Sequence, residues 1–207
     1  LVAWLLGEKP LEVRELDPKI TATHERTSDK LLRVKLEGKP DLALHVEFEI
    51  EGRVNVPEQV AKFIFFAGTS KGFKEEGLPL ASFVLYLDKK TYRKDPGFFE
   101  IPTALGTSLV VKYTVVKLWE KDPRPILEQG SPGLCPFVPL LRGDPKELFV
   151  QSKRKIENAP ESEVSEGVKR DLLSMMAVLS TRVIEDRDFL RRCISEVGRM
   201  GENWLID

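Results

Sequence analysis

The sequence predicts a mixed α/β sheet followed by a helical appendage, and three observations carry that prediction. Apolar residues alternate on both sides of Gly38-Lys39-Pro40-Asp41, a cluster of turn formers, which reads as a β-hairpin. A helix-period stretch after residue 55 separates that hairpin from the nearly continuous apolar run Leu80 to Leu87, and strand, helix, strand in this order implies a crossover into a parallel neighbour. Beyond residue 144 the apolar spacing is helical throughout.

Taken in order, Leu1 to Leu6 followed by Gly7 suits the last turn and cap of a helix. Leu11 to Asp17 alternates like a strand, and Pro18 to Arg26 reads as a polar connection in which His24 is a loop residue. The hairpin follows. Val56-Pro57 opens a helix with proline at a first-turn position, where its missing N–H is harmless, and Val60, Phe63, Ile64 and Ala67 form its buried stripe up to Gly68. The 80–87 run fits a strand covered on both faces, with the hairpin as one edge of the sheet. Leu109 to Trp119 is a further strand, rich in β-branched and aromatic residues.

From Asp122 to Gly143 five prolines and three glycines argue against regular structure, so this is a connection wrapping the core. Helices are expected over 145–157, over 162–181 with Val164, Val168, Leu172, Met175 and Leu179 on one stripe, and over 185–197. The boundary between the sheet domain and the helical appendage is accordingly set between residues 143 and 144.

Alternation sorts the hairpin side chains. Leu42, Leu44, Val46, Phe48 and Ile50 share one face, and His45, Glu47, Glu49 and Glu51 the other; on the first strand the set Lys30, Leu32, Val34 and Leu36 opposes Asp29, Arg33 and Lys35. With the apolar faces aligned, Asp29, Glu47 and Glu49 lie on one surface. A turn at 38–41 pairs residues whose numbers sum to about 79, which sets Glu47 opposite Leu32 and Glu49 opposite Lys30, with diagonal neighbours about 7–8 Å apart. At that separation Asp29 and Glu47 can share a divalent ion. A solvated outer face of an antiparallel hairpin has the same spacing.

The 207 residues, 42% hydrophobic and 31% charged, allow a sizeable core in one domain or a domain with an appendage. A net charge of −1 withholds the strong basic signal of a constitutive nucleic-acid binder, so backbone contacts must come from a local patch. There is no membrane-length apolar run and no secretory leader pattern, which points to the cytoplasm. Cys135 and Cys193 lack partners at metal-ligand spacing and are expected to be buried thiols. With His24 and His45 the only histidines and no nucleophile elbow around them, a Ser/His/Asp hydrolase is disfavoured.

The order helix, strand, Asp-bearing strand, Glu-Xaa-Glu strand, helix, strand resembles the core of the PD-(D/E)xK nucleases. The blocks SDKLLRV at 28–34, LHVEFE at 44–49, VPEQVAKF at 56–63 and GLPLASFVLYL at 77–87 resemble one bacterial branch, the recombination-promoting nuclease and putative transposase family. So do VVKLWE at 115–120 and PGLCPFVPL at 132–140. The resemblance covers residues 1–145 well and the helical tail more loosely.

It implies a restriction-endonuclease-like mixed sheet with an α-β-β-β-α-β core, and a metal-dependent DNA endonuclease of little sequence specificity that promotes recombination or transposition. Asp29 and Glu47 would hold Mg²⁺ or Mn²⁺, with the main-chain carbonyl of Phe48 as a further ligand. The sequence departs from the pattern at Glu49, where the superfamily carries lysine and this branch glutamine. An ionised carboxylate offers no donor there, so Gln59 or Lys35 is a substitute donor, Glu49 ligates a second metal, or catalysis has been lost. In the last case the chain is a catalytically degenerate DNA-binding or protein-interaction module.

For DNA the expected contacts are Lys62, Lys71 and Lys74 beside the site, then Lys89, Lys90, Arg93 and Lys94, and Lys153-Arg154-Lys155. Double-strand cutting by a single-site nuclease would call for a homodimer.

Overall fold

A computed structural model describes residues 1–15, 19–21, 25–27, 30–69, 77–102, 106 and 108–195. Contacts divide the chain into two units, Leu1–Lys117 and Leu118–Asp207. The division falls ahead of the expected 143–144 boundary, because the Pro-rich stretch packs with the helices.

The first unit opens with α1 (Val2–Leu6), closed by Gly7 in the left-handed conformation at φ 72°, as a C-cap glycine should be. A five-stranded sheet follows in the order β1 (Glu12–Glu15), β4 (Lys30–Lys35), β5 (Leu42–Glu49), β6 (Leu80–Tyr86), β9 (Thr114–Lys117). β1, β4 and β5 pair antiparallel; β5, β6 and β9 run parallel. Helix α2 (Val56–Thr69) makes the crossover between β5 and β6. The sheet is therefore mixed, with the hairpin in its interior rather than at its edge, since β1 adds outside β4.

Two short ribbons stand apart from this sheet. β2 (Lys19–Thr21) pairs β3 (Glu25–Thr27) where a polar connection was expected; His24 lies outside the described residues. β7 (Phe98–Pro102) pairs β8 (Ser108–Lys112). The single strand expected over 109–119 is thus broken at Tyr113, whose ring is buried between β8 and β9.

The hairpin register places Lys30 opposite Val46, Leu32 opposite Leu44 and Val34 opposite Leu42, three residues away from the expected pairing. A tight turn at 38–41 would have set Leu32 against Glu47 and crossed the apolar face of one strand with the polar face of the other. A longer connection, with Gly38 at φ 66°, restores the match of like faces. Leu31 and Ala43 join Phe63 and Ala67 of α2 in one cluster, so α2 covers the face that carries the odd-numbered residues of β4 and β5.

In the second unit the residues expected to be irregular form a 3-10 turn (Leu118–Glu120), a π-helical turn (Pro125–Gln129) and a 3-10 segment (Pro132–Leu140). Proline tolerates these because their short hydrogen-bonded runs need few amide donors. The helices α3 (Pro145–Glu157), α4 (Glu166–Ser180) and α5 (Arg187–Ser195) follow. Asp144 caps α3 by accepting from the amides of Lys146 and Glu147, and Ser165 caps α4.

Phe149, Ile156, Leu172, Leu173, Met176, Ile184 and Leu190 form the core of this unit around buried Cys135. Each full burial of such a side chain contributes about 1.5–3 kcal/mol. The expected stripe on α4 is rotated: Val168 and Met175 are about half exposed, while Leu173, Met176 and Ala177 face inward. Both cysteines are free thiols, Cys135 buried and Cys193 partly so. Among the described residues no helix is long and apolar enough to cross a membrane.

Candidate active site

Parallel pairing sets His45 beside Ser82, Glu47 beside Val84 and Glu49 beside Tyr86, with Tyr86 in turn beside Lys117. Residues in register share a face, so these side chains belong to the α2 side of the sheet, toward the carboxyl ends of the parallel strands. Open α/β sheets bind ligands at such ends.

The face is not a solvated one. His45 is 0% exposed and stacks on Phe63 of α2 with ring centroids 3.9 Å apart and an interplanar angle of 19°. Its Nδ1 lies 2.7 Å from Ser82 Oγ, and its Nε2 lies 2.9 Å from Glu47 Oε1. The Glu47 side chain is 20% exposed, so it is the wet end of a three-residue chain whose other members are buried. Among the described residues its Oε2 makes no hydrogen bond. The order Ser, His, Glu has the look of a hydrolase triad, yet the serine is the buried member and the carboxylate the open one, which is the wrong way round for a serine nucleophile.

Glu49 is placed very differently. Its Oε1 accepts from the backbone N–H groups of Glu51 (2.9 Å), Gly52 (2.8 Å) and Arg53 (3.3 Å), and its Oε2 from the Arg53 guanidinium at 2.8 Å. At 2% exposure it is the anion in a nest of amides that shapes the turn into α2. This occupies the carboxylate expected to act on substrate or a second metal, and leaves Arg53, with 47% of its side chain exposed, as the cation at that position.

A second cluster closes the same strand ends. Asp95 accepts from the hydroxyls of Tyr86 (2.6 Å) and Tyr113 (2.7 Å) and from the amide of Gly97 (2.8 Å). Burial, then the Asp95 carboxylate, pushes both phenols above the ordinary tyrosine range. Tyr92 meets Tyr86 edge to face at 4.8 Å, and Lys117 Nζ sits 5.1 Å above the Tyr92 ring. The turns at 50–53 and 88–92 interlock: Thr91 Oγ1 donates to the carbonyl of Ile50 at 2.6 Å, and a β-carbon on Gly52, whose φ is 70°, would stand 1.8 Å from the Thr91 carbonyl oxygen.

Of the residues expected from sequence, Asp29, Lys71 and Lys74 lie outside the described residues. Phe48 turns its ring to the opposite face from Glu47, so its carbonyl is its only ligating group. Gln59 sits half-buried in the first turn of α2, its backbone N–H donating to the Asn55 carbonyl. Lys35 does not reach the site: it lies at the hairpin end of β4 opposite Glu12, roughly 16 Å of strand from Lys30. Lys62 pairs with Glu58 one turn away on α2. In the run Lys153-Arg154-Lys155, Lys153 is buried near Glu157 and Lys155 donates to the Leu127 carbonyl, so that run is largely spent on its own unit. Lys89, Lys90, Arg93 and Lys94 are exposed on the segment that interlocks with the Arg53 turn.

Ser82, Arg53, Tyr86, Asp95, Tyr113 and Lys117 were not singled out as site residues from sequence. Asp95 and its two phenols are 9 and 18 residues apart and share no local spacing, although an Asp-Pro-Gly turn beside a basic run was a visible hint.

Among the described residues no group of three or more His, Cys, Asp and Glu is placed to hold a metal ion. Glu47 supplies one hard oxygen donor with its other oxygen anchored, which suits Mg²⁺ or Mn²⁺ in kind but needs a second carboxylate. No family model, curated protein or solved structure matches the chain.

Proposed function

We propose that this chain is a metal-dependent DNA endonuclease with a restriction-endonuclease-like core, hydrolysing phosphodiester bonds with little sequence specificity. The observation that carries the reading is Glu47: a half-open carboxylate on the central strand, at the carboxyl ends of the parallel strands and beside the crossover helix, with one oxygen anchored to a buried histidine. The order of two antiparallel and two parallel pairings around that strand supports it, as does the Asp29-to-Glu47 spacing in sequence.

In this reading Asp29 and Glu47 hold the divalent ion, with the Phe48 carbonyl beside them. The bound ion supplies a Lewis acid and lowers the pKa of the attacking water, so no protein nucleophile is required. Glu49 orients Arg53, whose guanidinium takes the place of the lysine expected two residues after Glu47 and meets the scissile phosphate. Lys89, Lys90, Arg93 and Lys94 extend the same surface along the phosphate backbone, displacing the helix-proximal Lys62 as the main contact. Activity on chromosomal DNA implies a cytoplasmic location, and double-strand cutting would bring two copies together as a homodimer.

The test is supercoiled-plasmid cleavage by the full chain with Mg²⁺, Mn²⁺ or EDTA, beside an Asp29→Ala and Glu47→Ala double variant. Metal-dependent nicking lost in the double variant is the expected outcome. Intact plasmid with folded protein, still retarded on a gel, would instead favour a catalytically degenerate DNA-binding module, a reading to which the sequestered Glu49 lends support. Replacing Arg93 and Lys94 by alanine should flatten the salt dependence of DNA binding, reducing the slope of log K against log salt by about 2.

A further inference from the structure

We infer that the outer face of α4 seats a second copy of this chain, the two helices lying antiparallel about a two-fold axis. The inference holds whether or not the chain cuts DNA.

Helix α4 is apolar on two sides. Leu172, Leu173, Met176, Ala177 and Ser180 are buried on the side that packs with α3 and the Pro-rich segment. Val168, Met175 and Val178 lie roughly 150° round the helix from that side, at about 100° per residue. They are between 46% and 49% exposed. Single exposed apolar residues need no explanation, but these three fall on one line.

Two exposed charges complete that line, Asp171 between Val168 and Met175, and Arg182 one turn beyond Val178. The order 168, 171, 175, 178, 182 alternates steps of three and four, which is the seam of a coiled coil. Arg182 keeps to it although α4 ends at Ser180, because its N–H donates to the Leu179 carbonyl and prolongs the turn.

The charges select orientation and register. A parallel pair would set Asp171 against the partner's Asp171 and Arg182 against the partner's Arg182. In an antiparallel pair with Met175 against the partner's Val178, the next layers join Asp171 to the partner's Arg182, and the two-fold axis repeats that bond at the other end. The flanks add no repulsion, since Ser174 falls beside the partner's Thr181 and Leu172 beside the partner's Leu179. A slip of one turn would put Asp171 against the partner's Met175 and strip the carboxylate of both water and cation.

At 15 residues α4 is about 22 Å long. A seam of that length buries less than the roughly 800 Å² per partner of a standard interface, so the dimer is weak and forms as concentration rises.

Sedimentation of the full chain from about 1 µM to about 500 µM reads the association. The samples are wild type, Met175→Glu, Asp171→Arg, Arg182→Asp and an equimolar mixture of the last two. Every change is at an exposed position, where folding tolerates it. In either charge variant alone the seam sets like charges against each other, whereas the mixed dimer brings opposite charges together at both ends.

Expected are a monomer–dimer equilibrium in wild type, dimerisation at least about 10-fold weaker in Met175→Glu, about 10-fold weaker in each charge variant alone, and recovery to within about 3-fold of wild type in the mixture. Wild type that stays monomeric throughout overturns the inference and leaves the face to a partner of another kind. Unchanged dimerisation in Met175→Glu puts the contact on a different surface and overturns it as well. A mixture no stronger than its components rejects the antiparallel pairing. Should Met175→Glu fail to fold, the charge variants and their mixture decide alone.

Discussion

The two units use buried polar groups for different ends. In the helical unit polar side chains close the unit's own backbone: buried Lys169 donates to the Glu157 carbonyl and buried Ser180 to that of Met176, half-buried Lys155 donates to that of Leu127, and exposed Asp144 and Ser165 cap amides. Helix ends leave donors and acceptors that something must satisfy, and these residues do so. At the carboxyl ends of the parallel strands the polar groups instead bind one another across distant segments, His45 with Ser82 and Glu47, Asp95 with two tyrosines, Thr91 with Ile50. Strand ends do not require that. A polar network beyond what secondary structure needs marks the place where a fold is organised around chemistry.

The comparison breaks first at Gly52. Alanine there must adopt a left-handed conformation and drive its β-carbon into the Thr91 carbonyl oxygen 1.8 Å away. Gly52→Ala is expected to cost more than about 3 kcal/mol in denaturant unfolding, because the two interlocked turns have to part. A loss below about 1 kcal/mol would show that the turns are independent.

Next in size is Glu49. Glu49→Gln removes the negative charge from a nest of three amides and an arginine, a cost of about 1–3 kcal/mol. On the proposed nuclease reading DNA affinity should fall as well, since Arg53 loses the partner that orients it. A variant of unchanged stability would return Glu49 to the set of working catalytic carboxylates.

The smallest effect belongs to the helical unit. Burial holds the Cys135 thiol at about 11, opposed only by the Lys155 charge. The folded state therefore keeps this proton more tightly than the unfolded chain. Its contribution is complete below about pH 9 and is lost as the pH rises through about 11. Wild type should lose more stability between pH 8.5 and 10.5 than Cys135→Ala does, and equal losses would place the thiol in contact with water.

Much of the first unit was legible in the sequence, for physical reasons that also explain the failures. Alternation in β4 and β5, the helix period of α2 and the doubly covered run of β6 are local signals, and each matches an observed element. Register was missed because it depends on the length of the connection, which the turn formers at 38–41 understated. The hairpin was set at an edge because β1, polar and only four residues long, gives no sign of which strand it joins. On α4 a stripe drawn through Val168 and Met175 counts apolar residues, whereas burial follows the phase that faces α3 and the Pro-rich segment; Leu173, Met176 and Ala177 lie on that phase.

At the strand ends, parity alone places His45 and Glu47 on one face, and the structure has them there. Ser82 was invisible because its bond to His45 joins strands 37 residues apart. The part played by Glu49 could not be read either, since three amides converge on it only after the chain has turned.

Strand β1 carries one further consequence. All four of its residues are exposed, three of them are charged, and it forms one margin of the five-stranded sheet. At the other margin β9 lasts four residues before the chain curls into a 3-10 turn. A brief, highly charged border on one side and an abrupt stop on the other deny a stranger's strand a place to add. During folding and at high concentration, this sheet should resist recruiting neighbours into fibrous aggregates.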